Sequence, residues 1–250
     1  MNFSDELKLE FERDGFVVVR DYLSSKEATE VNSQITRFID EVLPTAPDST
    51  AFYESKDNPE SIMRLSDLGT LDSFFETFFQ TERFSNLASF LLSDDVVPTG
   101  SQWFNKPARV GGITPPHQDG FYFMLEPNEA VTLWIALDDI DEQNGCIRYV
   151  RGSQKLGMRP HRPSAIVGFS QGILDYSDAD RELEVAIHAK PGDLIAHHSM
   201  IIHRADANQS DRRRAGLGLV YFAAQAKKDE ERAEQYRQEL FARWHNEGKI

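Results

Sequence analysis

One cysteine, Cys146, stands in the 250 residues, so an intrachain disulfide framework is excluded and a reducing, cytoplasmic setting is the expectation. Positive charge is scarce as well: 27 Lys and Arg against 41 Asp and Glu leave a net charge of −14. A nucleic-acid partner needs a basic footprint for its phosphates, and that class is excluded. No stretch approaches the roughly 18 apolar residues of a membrane-spanning helix. The acidic opening Met1-Asn2-Phe3-Ser4-Asp5-Glu6 is unlike a secretory signal. Internal repeats and low-complexity linkers are absent too. What remains is material for a core: a 40% hydrophobic and 11% aromatic share, enough at this length for one domain, as a monomer or a homodimer.

The periodicities sort the chain into a helical first part, about 1–95, a β-rich core, about 96–225, and a closing charged helix, about 227–247. Residues 5–14 read as an amphipathic helix and 15–20 as a strand of β-branched residues. Ser24-Ser25-Lys26-Glu27 is a capping box that opens a helix running to about Val42. Two helices follow near 70–80 and 81–93. Phe74, Phe75, Phe78, Phe79, Phe84, Leu87, Phe90 and Leu91 repeat there at helical spacing, the mark of a buried stripe. From Val96 onward, short β-rich runs alternate with turns at 96–106, 119–125, 130–138, 145–150, 184–188, 193–197, 200–205 and 214–224. Eight such strands behind helices predict a double-stranded jelly-roll. Two long polar segments, Pro44–Pro59 and Arg159–Arg181, carry little apolar periodicity, and at least one of the two is expected to be mobile and to close as a lid over a site when substrate binds.

The chemistry concentrates in Pro115-Pro116-His117-Gln118-Asp119-Gly120. A histidine and a carboxylate two residues apart share one side of a strand, so His117 and Asp119 can meet one metal ion. A third ligand is available from His197, His198 or His203. Two histidines and a carboxylate on one face of an octahedron suit a non-haem Fe(II) oxygenase. Alternation sets His197 and His203 on one face and His198 on the other, which makes His198 a core or supporting histidine and lets His197 face the cavity. His161, His188 and His245 lack motif context and read as surface groups. Without the downstream pattern, His117 and Asp119 would be no more than a hydrogen-bonded pair at a strand end.

The ordered set resembles the phytanoyl-CoA dioxygenase family of Fe(II)/2-oxoglutarate oxygenases. The resemblance begins at Phe11-Glu12-Arg13-Asp14-Gly15-Phe16-Val17-Val18-Val19. It runs through Gln102, His117-Gln118-Asp119, Trp134-Ile135-Ala136-Leu137, Asn144-Gly145-Cys146, Gly152-Ser153 and Pro191-Gly192-Asp193-Leu194, and ends at Asn208 to Arg214. Two departures are Arg151-Gly152-Ser153-Gln154, where many members carry Pro-Gly-Ser-His, and Ala205, where a small polar residue is common. The family spacing selects His203 as the third ligand and Arg214, rather than Arg212 or Arg213, as the partner of the distal carboxylate of 2-oxoglutarate. A guanidinium fork offers that carboxylate two charge-assisted bonds where lysine offers a point charge. Gln102, Trp134 and Arg64 match positions that touch the co-substrate in relatives. The resemblance thus implies an enzyme that uses Fe(II), 2-oxoglutarate and O2 to hydroxylate a small molecule, releasing succinate and CO2. Two readings from other classes stand beside it: a cupin-like metal protein or isomerase that ignores 2-oxoglutarate, and a catalytically silent interaction protein.

Phe104, Asn105, Phe121, Tyr122, Phe123 and the 159–182 loop are expected to line the mouth. Their mixture of aromatic and polar groups suits a small amphipathic metabolite, and the net charge disfavours an acyl-CoA. Arg148, Arg151, Lys155, Arg159, Arg162 and His161 form a basic cluster that reads as a solvated loop balancing an acidic protein.

Overall fold

The structure, a computed structural model, describes residues 3–55, 57–164 and 170–246. Ser4 caps helix α1 (Asp5–Asp14) by accepting from the Leu7 amide, and Gly15 ends it in the left-handed region at φ 83°. Strand β1 (Phe16–Val19) follows, and the Ser24/Glu27 capping box then opens α2 (Ser25–Arg37). Strands β2 (Ala51–Tyr53) and β3 (Ile62–Ser66) pair antiparallel ahead of α3 (Leu68–Leu71), α4 (Ser73–Phe79) and α5 (Glu82–Leu92). Next come β4 (Val96–Lys106), β5 (Thr114–His117), α6 (Gly120–Phe123), β6 (Leu125–Glu126), β7 (Ala130–Ala136) and β8 (Ile147–Val150). Then β9 (His161–Pro163), β10 (Gln171–Ile173), α7 (Asp178–Glu182) and β11 (Glu184–Ala186) lead to β12 (Leu194–His198) and β13 (His203–Ala205). The chain continues through β14 (Arg214–Ala223), β15 (Lys227–Lys228) and α8 (Glu230–Asn246).

A large antiparallel sheet runs β1-β12-β7-β14-β4-β3-β2, and a smaller one runs β11-β8-β13-β5. Alternation along central β7 explains how they pack. Val131, Leu133 and Ile135 face a core shared with the helices, where Phe75, Phe84, Leu87 and Leu91 of the aromatic stripe are buried. Trp134 and Ala136 face the other way, into a second core with Ile147 and Tyr149 of the small sheet. With both faces covered, the whole of β7 is buried and reads as an unbroken apolar run. This is the jelly-roll arrangement expected from the strand spacing, here two facing sheets that do not close into a barrel.

The local outcome differs from expectation in several places. The run 119–125 is not a strand: Asp119 leads into α6, and the strand lies earlier, at β5. Its two prolines cannot donate to a ladder, and they are tolerated because, among the described residues, β5 pairs only with β13, at the edge of the small sheet. The strand expected at 15–20 is β1, but the rest of the first 95 residues is not wholly helical, since β2 and β3 extend the large sheet at its other end. Pro44–Pro59 is not a featureless loop: it contains β2, whose three residues are too few to leave a readable alternation. The Arg159–Arg181 segment holds the β9–β10 hairpin and much of α7, while residues 165–169 of that proposed lid lie outside those described. Lys56, inside the other one, is likewise outside. The basic cluster is largely paired: Arg148 bonds Glu142 and Asp206, and Arg159 bonds Asp175 and Asp180.

Candidate metal centre

His117 ends β5, and the antiparallel register sets it directly opposite His203, the first residue of β13. Their rings stand 4.2 Å apart. Asp119 joins them because the chain turns after β5, not because it shares a strand face with His117. Its Oδ1 lies 3.5 Å from His117 Nε2 and 3.7 Å from His203 Nε2. One donor atom from each of the three residues lies within 4.8 Å of the others.

Each histidine is oriented from behind. His117 Nδ1 is 2.8 Å from the Pro115 carbonyl and His203 Nδ1 3.2 Å from that of Ile201. A carbonyl can only accept, so Nδ1 carries the proton in both rings and the Nε2 lone pairs face Asp119. Burial, with His117 alongside, pushes the His203 imidazole well below its ordinary value and keeps it neutral, the form that binds metal. Burial would raise the Asp119 carboxyl, but its histidine neighbours, with a hydrogen bond from His197, hold it well below the usual carboxylate range. Two imidazoles and one ionised carboxylate, all aimed at one point, fit Fe(II).

These ligands line a cavity of about 520 Å³. Arg214 lies in it, buried, with its guanidinium 5.3 Å from the Trp134 ring and Nε donating to the Gly145 carbonyl at 3.0 Å. Among the described residues no carboxylate pairs with it. Burial pushes it down to about 10, so it stays charged at neutral pH. Arg212 and Arg213 instead pair with Asp141 and Asp138 at the surface. The family spacing and the structure therefore agree on which arginine turns inward.

Residues 11–216 match the sequence family phytanoyl-CoA dioxygenase (PhyH). The chain belongs to the phytanoyl-CoA dioxygenase family. It is 34% identical over 154 residues to a phytanoyl-CoA dioxygenase of Arabidopsis thaliana, a match that covers 61% of this chain and 53% of that protein. The chain thus spans about half the length of that relative. In fold it resembles EctD from S. alaskensis, crystallised with 2-oxoglutarate and 5-hydroxyectoine (TM-score 0.74, 20% identity, 88% of this chain and 76% of that one). It also resembles SnoN, a non-heme alpha ketoglutarate dependent epimerase from nogalamycin biosynthesis (TM-score 0.70, 23% identity, 89% and 83%).

Gln102, Trp134, Arg64, Phe104, Tyr122 and Phe123 all line the cavity. Arg64 stacks on Phe52 at 4.0 Å. Asn105 borders the cavity, but alternation turns it away from Gln102 and Phe104, and its amide donates to the Ile62 carbonyl at 2.7 Å. Phe121 lies outside the lining and stacks on His161 at 4.4 Å. That corrects the reading of His161 as a surface group: it is half-buried, and its Nε2 accepts the Gln118 amide at 3.3 Å, bracing the turn between the two ligands. His188 is exposed as expected, while His198 pairs with Glu129 at 3.1 Å, away from the ligand set. The side chain of His245 lies outside those described.

Sequence reasoning missed Lys106. It is buried in the cavity opposite Arg214 in the β4–β14 register, with Nζ bonded to the Gly112 carbonyl. Burial, with Arg214 nearby, pushes its ammonium down to about 7. The alternation Gln102, Phe104, Lys106 was the available signal. Also missed were Thr132 and Tyr149, whose hydroxyls act behind Asp119, and the C-terminal helix as part of the mouth through Tyr236 and Leu240.

Proposed function

We propose that this chain is an Fe(II)- and 2-oxoglutarate-dependent dioxygenase that hydroxylates an unactivated C–H bond of a small amphipathic metabolite. One O2 and one 2-oxoglutarate are consumed; one oxygen atom enters the substrate and the other enters succinate, with CO2 released. The observation that carries this reading is the meeting, in one cavity, of the His117–Asp119–His203 set with a buried Arg214 that has no carboxylate of its own among the described residues. A metal-binding module or a silent relative has no use for that arginine.

His117, Asp119 and His203 would hold the metal, and Arg214 with Lys106 would take the distal carboxylate of the co-substrate. Bound there, iron and 2-oxoglutarate supply the oxidising chemistry. The protein supplies orientation and dryness. Gly216 and Gly218 carry no side chain on the inner face of β14, so the rings of Trp134 and Phe104 lie close over that strand and wall the path from Arg214 towards the ligands. Phe123, Phe222, Val220 and Leu240 give the remaining space an apolar wall, while Tyr122 and Tyr236 add hydroxyls. This mixture supports a small amphipathic substrate and keeps water from the reacting atoms.

The test is succinate release from 2-oxoglutarate under aerobic conditions with Fe(II), first alone and then against a metabolite panel. A product that gains one oxygen atom supports hydroxylation; an isomer of unchanged mass would point to epimerisation, as the SnoN likeness allows. No succinate under any condition would overturn the reading. His203→Ala should abolish tight iron binding, whereas His198→Ala should leave it, and the reverse result would move the ligand assignment.

A further inference from the structure

The two oxygens of Asp119 face different groups. Oδ1 looks towards His117 and His203, whereas Oδ2 lies 3.2 Å from His197 Nε2 and 3.1 Å from Thr132 Oγ1. His197 Nδ1 in turn lies 2.9 Å from the Tyr149 hydroxyl. We propose that Tyr149 and His197, with Thr132, are positioning residues that hold Asp119 as a one-oxygen metal ligand. This inference rests on the metal reading given above.

The proton positions follow from what each group can do. An ionised carboxylate accepts only, so His197 Nε2 and the Thr132 hydroxyl both donate to Oδ2. With its proton on Nε2, His197 has a bare Nδ1, and it accepts from Tyr149. That hydroxyl stays protonated because its complete burial pushes the phenol well above its ordinary value. The participants are fixed by sheet register. Thr132 and His197 are direct partners between β7 and β12, and Tyr149 lies opposite His203 between β8 and β13. Tyr149 is locked further by stacking on Phe16 at 4.8 Å.

The arrangement has a purpose beyond holding the ion. Three protein atoms leave three sites of an octahedron open, enough for a chelating 2-oxo acid and O2. A carboxylate that bound through both oxygens would take one of them. Donors saturating Oδ2 prevent that, and partners of metal ligands are typically worth about 10–100-fold in affinity. Of the tandem histidines only His197 does this, since His198 points to Glu129.

The first measurement needs no metal. Two-bond ¹H–¹⁵N spectra of the wild-type apoprotein should show His197 as the Nε2–H tautomer; an Nδ1–H tautomer or an imidazolium would overturn the relay. The second is anaerobic Fe(II) affinity. His197→Phe should weaken it by about 10–100-fold, and His197→Gln, whose amide can still donate, should recover much of that loss. Tyr149→Phe keeps the stacked ring and should shift the His197 tautomer while weakening Fe(II) binding less than His197→Phe. The Co(II)-loaded variants should show altered visible absorption if Asp119 changes its mode of binding. Equal Fe(II) affinity and equal Co(II) spectra across folded variants of a metal-binding wild type would sink the relay alone. A wild type that bound no Fe(II) would remove the metal reading and the relay with it.

Discussion

Arg214 is a full charge taken out of water with a single hydrogen bond to a backbone carbonyl among the described residues. Such a group stays stable only if a partner is supplied in the working state. Removing one half of a buried charge pair costs roughly 2–5 kcal/mol, so Arg214→Ala should raise the Michaelis constant for 2-oxoglutarate by about 30-fold or more, with Fe(II) affinity unchanged. The exposed Arg212→Ala should change neither. Lys106 adds a pH signature. Held at about 7 without ligand, it is charged below that pH and neutral above it. A neighbouring carboxylate favours the ammonium and raises its pKa, so binding above pH 7 takes up a proton. Affinity for 2-oxoglutarate should therefore be flat below about pH 7 and fall as pH rises beyond it. In Lys106→Met the slope should vanish; calorimetric titration from pH 6 to 9 reads it directly.

Among the elements, β14 shows why a strand can be written with glycines in its middle. A Cβ on Gly216 would stand 1.9 Å from Trp134 Cζ2 and one on Gly218 3.1 Å from Phe104 Cε2. The strand interior tolerates them because it is paired on both sides, with β4 and β7. Gly216→Ala must displace the Trp134 ring, so it should destabilise the fold by roughly 1–3 kcal/mol, an overpacking cost, and weaken 2-oxoglutarate binding at the same time. Urea unfolding together with a binding titration would check both; an unchanged midpoint would mean the ring moves freely. Element boundaries were legible where local chemistry sets them, as in the Ser24/Glu27 capping box. They were not legible at 119–125, where aromatic residues of high strand propensity form α6 because the Gly120 amide is drawn to the Ser199 carbonyl, 79 positions on.

For the molecule as a whole, the ligands come from β5, the turn after it and β13, elements far apart in sequence, so metal binding ties the small sheet together. A ligand that binds only the folded state at about a hundredfold over its dissociation constant adds roughly 2.7 kcal/mol. For a chain of this size that should raise Tm by roughly 5–10 °C, reversibly on chelation, in wild type and in His198→Ala but not in His203→Ala; differential scanning calorimetry under argon measures it. Residue type and order alone carry the jelly-roll class, through the run of short strands, and the pairing of His117 and Asp119 with one of three later histidines; the family resemblance then picks out His203 and Arg214. Which groups stand behind the ligands emerges in three dimensions alone. Alternation gives the side on which Lys106 and His197 stand, but their partners, and the roles of Thr132 and Tyr149, come from cross-strand register and from the facing of two sheets, and such pairings between distant segments leave no local pattern to read.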